Sequence, residues 1–116
     1  MDKEIMKRRT KQFAIDCGHL INSLPKNDIN KNYSNQLIRS SGSVAANYRA
    51  VSRAKSTSDF INKLKIVEEE QDESLLWLEL LVEFNKSKRS DFVNIYKEGE
   101  EILKIIVASI KTTKSK

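Results

Sequence analysis

One cysteine, one proline and three glycines are all that the 116 residues contain of the types that staple, break or turn a chain. A single cysteine excludes an intrachain disulfide and fits a reducing, cytoplasmic setting. So few glycines and prolines leave little punctuation for a turn-rich β fold and favour a few long helices. No run of Val, Thr and aromatic residues alternates cleanly enough to compete as a strand. No apolar run approaches the roughly 18 residues that a membrane span requires. The charged opening MDKEIMKRRTKQ is not followed by a stretch apolar enough for a secretory signal, so no membrane partner is expected. One histidine, His19, leaves no imidazole pair for a metal or a catalytic relay.

What is present is a helical pattern. A hydrophobic content of 39% excludes a disordered tail, and the length suits a single domain, residues 1–116. Met6, Phe13, Cys17, Leu20, Ile21 and Leu24 fall on one helical face ahead of Pro25, which predicts a first helix over 2–24. The polar loop KNDINKN offers Asn30 or Asn32 as N-cap of a second helix over 31–55. That helix carries Tyr33, Leu37, Ser41, Val44, Tyr48 and Val51 at alternating spacings of four and three, the mark of a bundle seam. STSD at 56–59 reads as a capping box opening a third helix over 57–84. Its seam is Phe60, Leu64, Val67, Gln71, Ser74, Leu78 and Leu81, with two polar members in the middle. After NKSKRSD, a fourth helix over 88–112 aligns Phe92, Ile95, Gly99, Ile102, Ile106 and Ser109. The expected fold class is all-α: an antiparallel up-down-up-down four-helix bundle.

Helix two thins in its middle. From Ser40 to Ala46 only Val44 is bulky, and the small residues surround the axis rather than sharing one face. Ile38, Gly42, Ala45 and Arg49 form a second stripe about 100° from the seam. With Ala46, they are expected to be gripped by another protomer, giving a homo-oligomer, or else to pack closely within one bundle. Glycine inside a helix costs about 1 kcal/mol relative to alanine, which calls for an offsetting close approach at Gly42.

The segments RSSGSVAANYRA, SRAKSTSDF and IVEEEQDESLLWLELL, within Gln36 to Leu81, closely resemble the small bacterial 23S ribosomal RNA intervening-sequence proteins. The opening MKRRTKQFAIDCGHLINSLPK, Met6 to Lys26, resembles one branch of that family. Other branches carry a proline before the Ala-Asn pair and Glu-Gly after it, where this chain has Ala45 and Arg49-Ala50. The resemblance implies a four-helix bundle, commonly a homopentameric ring, with no established enzymatic activity and no cofactor. Some relatives are encoded inside insertions in rRNA genes. Related accessory proteins of diversity-generating retroelements are thought to hold nucleic acid and a reverse transcriptase, so RNA, DNA or such a protein partner is implied here.

Charge is the remaining signal. The net charge of +5 is moderate, but an up-down bundle would gather the start of helix one, the connection between helices two and three, and the end of helix four. That end would hold Lys3, Lys7, Arg8, Arg9 and Lys11, then Arg49, Arg53, Lys55, Lys63 and Lys65, then Lys104, Lys111, Lys114 and Lys116. These are 14 of the 21 basic residues, opposed nearby only by Asp2, Glu4 and Asp59. Such a surface attracts phosphate by counterion release, with affinity falling as salt rises. A solvated end without a ligand is the plainer reading. No base-reading motif accompanies it, and Tyr48 and Trp77 sit at or beside apolar seams, where packing suits them better than stacking on bases. The acidic run Glu68, Glu69, Glu70, Asp72 and Glu73 lies level with Arg39, which is expected to pair with Glu70, Asp72 or Glu73.

Catalytic signatures are missing. Cys17 falls on the apolar seam as a small hydrophobe, and the serines lack a histidine partner. Glu70 and Glu73 lack the Glu-x-x-His partners of di-iron bundles, so no metal is expected. A non-enzymatic scaffold that binds RNA or DNA at its basic end is the leading expectation. A protein-interaction scaffold without a nucleic-acid ligand is the alternative.

Overall fold

The computed structural model describes residues 2–116 as four helices: α1 (Lys3–Ser23), α2 (Asp28–Val51), α3 (Thr57–Glu83) and α4 (Arg89–Lys114), with one 3-10 turn at Lys86–Lys88. Each starts and stops for a local reason. The Asp2 carboxylate accepts from the Glu4 and Ile5 amides and opens α1, which Pro25 closes. The α2 cap is Asn27 rather than Asn30 or Asn32: its side chain accepts from the Asn30 amide at 2.9 Å, so the helix begins three residues earlier than expected.

At its other end α2 stops at Val51, short of the expected Lys55. The Arg53 and Ala54 amides turn back onto the Ala50 and Val51 carbonyls. The capping box over 56–59 is present. Ser56 Oγ accepts from the Asp59 amide at 3.1 Å, while the Asp59 carboxylate accepts from the Lys55 amide at 2.9 Å, one residue before the usual place.

The helices form a four-sided bundle measuring 47 × 20 × 20 Å, in which α1 touches α2 and α4, and α3 touches α2 and α4. Cross-helix pairs set the register. Asn30 meets Asn85, just beyond the end of α3, and Ser40 meets Ser74.

The core holds most of the predicted set, with additions. Met6, Phe13, Cys17, Leu37, Val44, Tyr48, Leu64, Leu78, Ile102 and Ile106 are buried, and so are Thr10, Asn30, Ser34, Ser40 and Ile110, which the seam pattern omits. Ile21, Tyr33, Phe60, Ile95 and Trp77 are only partly covered.

Midway along the bundle the core turns polar. Ser40 and Ser74 share a 2.8 Å hydrogen bond, and Ser74 also donates to the Glu70 carbonyl. Gln71 Nε2 donates to the Gly99 carbonyl at 3.0 Å. Here the chain makes its tightest approach at a glycine: a Cβ on Gly99 would stand 2.8 Å from Leu75 Cδ2 and 2.9 Å from Phe13 Cε1.

Candidate nucleic-acid interface

At one end of the bundle, the first turn of α1, the α2–α3 connection and the last turns of α4 line a single open cleft of about 330 Å³. Lys3, Ser52, Lys55, Thr57, Phe60 and Thr113 all face it, so three segments distant in sequence meet there as the charge pattern anticipates. Lys3 Nζ lies 5.2 Å from the centre of the Phe60 ring.

The basic residues of this end divide by what they already hold. Lys7 pairs with Glu4 at 3.2 Å, and Lys63 with Asp59 at 2.8 Å. Asp59 is held below the usual carboxylate range by the Lys63 ammonium and the Lys55 amide. Arg9 is committed elsewhere: its guanidinium forks onto Glu98 at 2.7 and 2.9 Å, and that bond keeps its pKa raised. It belongs to the α1–α4 contact more than to a free basic surface, which removes it from the predicted interface.

Arg8, Lys11, Arg49, Arg53, Lys55, Lys111 and Lys114 are exposed. Arg53 donates to the Arg49 carbonyl, which holds one guanidinium beside the end of α2.

The thin face of α2 is placed differently from a close helix contact. Ile38, Gly42 and Ala46 are exposed and Ala45 is partly covered; a Cβ on Gly42 would meet nothing within 4 Å. Packing inside the bundle therefore does not account for Gly42. Within the chain, close approach is made at Gly99, where the periodicity showed only a seam position. Gln71, one of the two polar interruptions of α3, was the available signal that α4 presents a carbonyl there; Ser74 instead faces Ser40 of α2.

Arg39 bridges Glu70 at 3.2 Å and Glu73 at 2.9 Å, leaving Asp72 out of the cluster. Ser40 and Ser41, beside this stripe, turn inward and are buried. Trp77 stacks on Tyr33 at 5.9 Å and Tyr48 is wholly buried. Neither side chain lines the basic cleft.

Cys17 is buried and its thiol is pushed up to about 12, chiefly by desolvation. Among the described residues no cluster of three His, Cys, Asp or Glu side chains is placed to hold a metal, and no helix is long and apolar enough to cross a membrane.

A small four-helix bundle with a polar mid-layer and a basic end defines a class of compact helical modules. The chain belongs to the 23S rRNA-intervening sequence protein family, whose profile it matches over residues 2–108. It is similar to a crystal structure of a protein of unknown function from the S23 ribosomal protein family of Bacteroides thetaiotaomicron VPI-5482. The two chains are 33% identical, with 96% of this chain and 99% of that one covered and a TM-score of 0.81. None of the curated proteins matches.

Proposed function

We propose that the protein is a non-enzymatic cytoplasmic scaffold, an antiparallel up-down-up-down bundle assembled into a homo-oligomer, whose basic end holds RNA or DNA without strong sequence preference. The convergence of Lys3, Lys55 and Thr113 on one cleft, ringed by exposed cations, carries this reading. Phosphate contacts would supply the affinity, since side chains able to read base edges are not gathered there. Repetition of the end on each protomer would add avidity, and the family resemblance suggests five copies. The exposed stripe of Ile38, Gly42 and Ala46 supports self-association, because glycine's cost in α2 is not offset inside the chain. The same exposed apolar stripe favours a second reading, a scaffold for another protein such as a reverse transcriptase, with charge used only for steering.

Native mass and gel retardation with mixed RNA and DNA separate the two. Retardation at about 50 mM salt that weakens steeply by about 300 mM is expected. The triple charge reversal Arg49→Glu, Arg53→Glu and Lys55→Glu should abolish retardation while preserving the helical circular dichroism. No retardation at low salt favours the protein-scaffold reading, and binding undiminished in the triple variant removes the basic end from the interface.

A further inference from the structure

The cleft at the basic end contains an aromatic ring, and its placement narrows the kind of nucleic acid the end would take. Phe60 occupies the seam position in the first turn of α3, one turn before Leu64, which is wholly buried. Near the end of the bundle no neighbouring layer covers the ring completely, so it packs against the core and still lines the cleft. The Lys3 ammonium, on an exposed residue, stands over the ring at 5.2 Å from its centre. A ring face with the ammonium of an exposed lysine over it is not covered by apolar packing. It is therefore open to another flat, polarisable group.

We infer that Phe60 is a stacking platform for an unpaired nucleobase, and that the basic end selects single-stranded over double-stranded nucleic acid. The inference rests on the basic-end reading above and adds the form of the ligand. A base entering the cleft replaces the ammonium over the ring, and Lys3 swings to the flanking phosphate, keeping its charge compensated. Lys55 also lines the cleft and is available to the next phosphate, while the Ser52, Thr57 and Thr113 hydroxyl oxygens can accept hydrogen bonds from sugar hydroxyls without imposing a sequence. At about 330 Å³ the cleft lies at the small end of the size range of ligand clefts, suited to one base rather than to a duplex. In a duplex the bases are already stacked on each other, so the ring gains nothing from them. Tyr33, Trp77 and Phe84 form another aromatic group, but they line the α2–α3 face beside Arg39 and its carboxylates, where phosphate would be repelled.

The test compares four fluorescent probes of equal phosphate number by anisotropy at about 50 mM salt, where the electrostatic term is strong. They are a uridine oligoribonucleotide, a thymidine oligodeoxyribonucleotide, an abasic strand and a hairpin duplex. Both base-bearing single strands should bind the full chain roughly 5- to 150-fold more tightly than the abasic strand, the range for one stacked base. Ribose and deoxyribose should behave alike, since the ring contacts the base. Phe60→Leu, which keeps an apolar side chain against the core, should erase the difference, and Phe60→Tyr should retain it. Equal affinity for base-bearing and abasic strands, or a preference that survives Phe60→Leu, overturns the stacking platform and leaves the basic end standing. No binding of any probe overturns both. Where Phe60→Leu alters the thermal melt, the wild-type comparison of base-bearing with abasic strands still decides the case.

Discussion

A methyl group added at Gly99 would collide with Leu75 Cδ2 and with the edge of the Phe13 ring. The leucine terminus can rotate away, but the buried ring has little room to do so. Gly99→Ala should therefore lower stability by about 1–2 kcal/mol, steric strain outweighing the helical preference for alanine, as a urea midpoint would report. Gly42 is the converse. With open space beyond its Cα, Gly42→Ala should raise stability by about 1 kcal/mol from helix propensity alone, read as a higher urea midpoint. A fall instead would reveal a partner seated against that face. In the sequence Gly99 falls on the α4 seam and Gly42 on a stripe off the α2 seam, yet it is Gly42 that is expected to mark a close approach. What separates them is the side chains of α1 and α3 converging on α4, which a pattern confined to one helix does not contain.

Between elements, the clearest bond joins the first turn of α2 to the α3–α4 connection, at the end opposite the basic cleft. Asn30 and Asn85 exchange amide hydrogen bonds at 3.0 and 2.8 Å, and each also holds a backbone carbonyl, of Pro25 and Leu81 respectively. Asn30→Ala or Asn85→Ala alone should cost about 1–3 kcal/mol, because the remaining amide is buried without its partner. The double variant should cost clearly less than the sum, as a double-mutant cycle measures. Strict additivity would mean that the amides do not act as a pair. The helices themselves were legible in the sequence: the α3 seam from Leu64 to Leu81 is buried as its spacing required, and the STSD cap forms. The start of α2 was not, since Asn27 and Asn30 are equally good caps locally, and only burial against Asn85 assigns Asn30 to the interior. Arg39 was placed opposite the right acids by counting residues from the turn, although which two of the three it grips depends on rotamers.

Across the whole molecule, two buried ionisable groups set an upper pH limit. Burial raises the Cys17 thiol from 9.0 to about 12 and the Tyr48 phenol from 10.0 to about 12. The folded chain keeps both protons where an unfolded chain releases them, so rising pH favours unfolding. Thermal midpoints should be level up to about pH 9 and then fall towards about pH 12, and Cys17→Ala should flatten the first part of the decline. A midpoint unchanged at about pH 11 would show that neither group is as desolvated as its burial indicates. Charge at this scale was legible only in part. Counting cations found the basic end, but it also counted Arg9, whose partner Glu98 lies 89 residues away and carries no local signal.

Lys3 and Thr113 stand in the same cleft, so the first and last helices bring their outer ends to one spot. Anything joined to either terminus, whether an affinity tag, a fluorescent protein or a sensor surface, hangs directly over the cations whose occupancy is to be measured. Attachment through the Lys86–Lys88 turn, at the far end of the 47 Å long bundle, leaves that surface free.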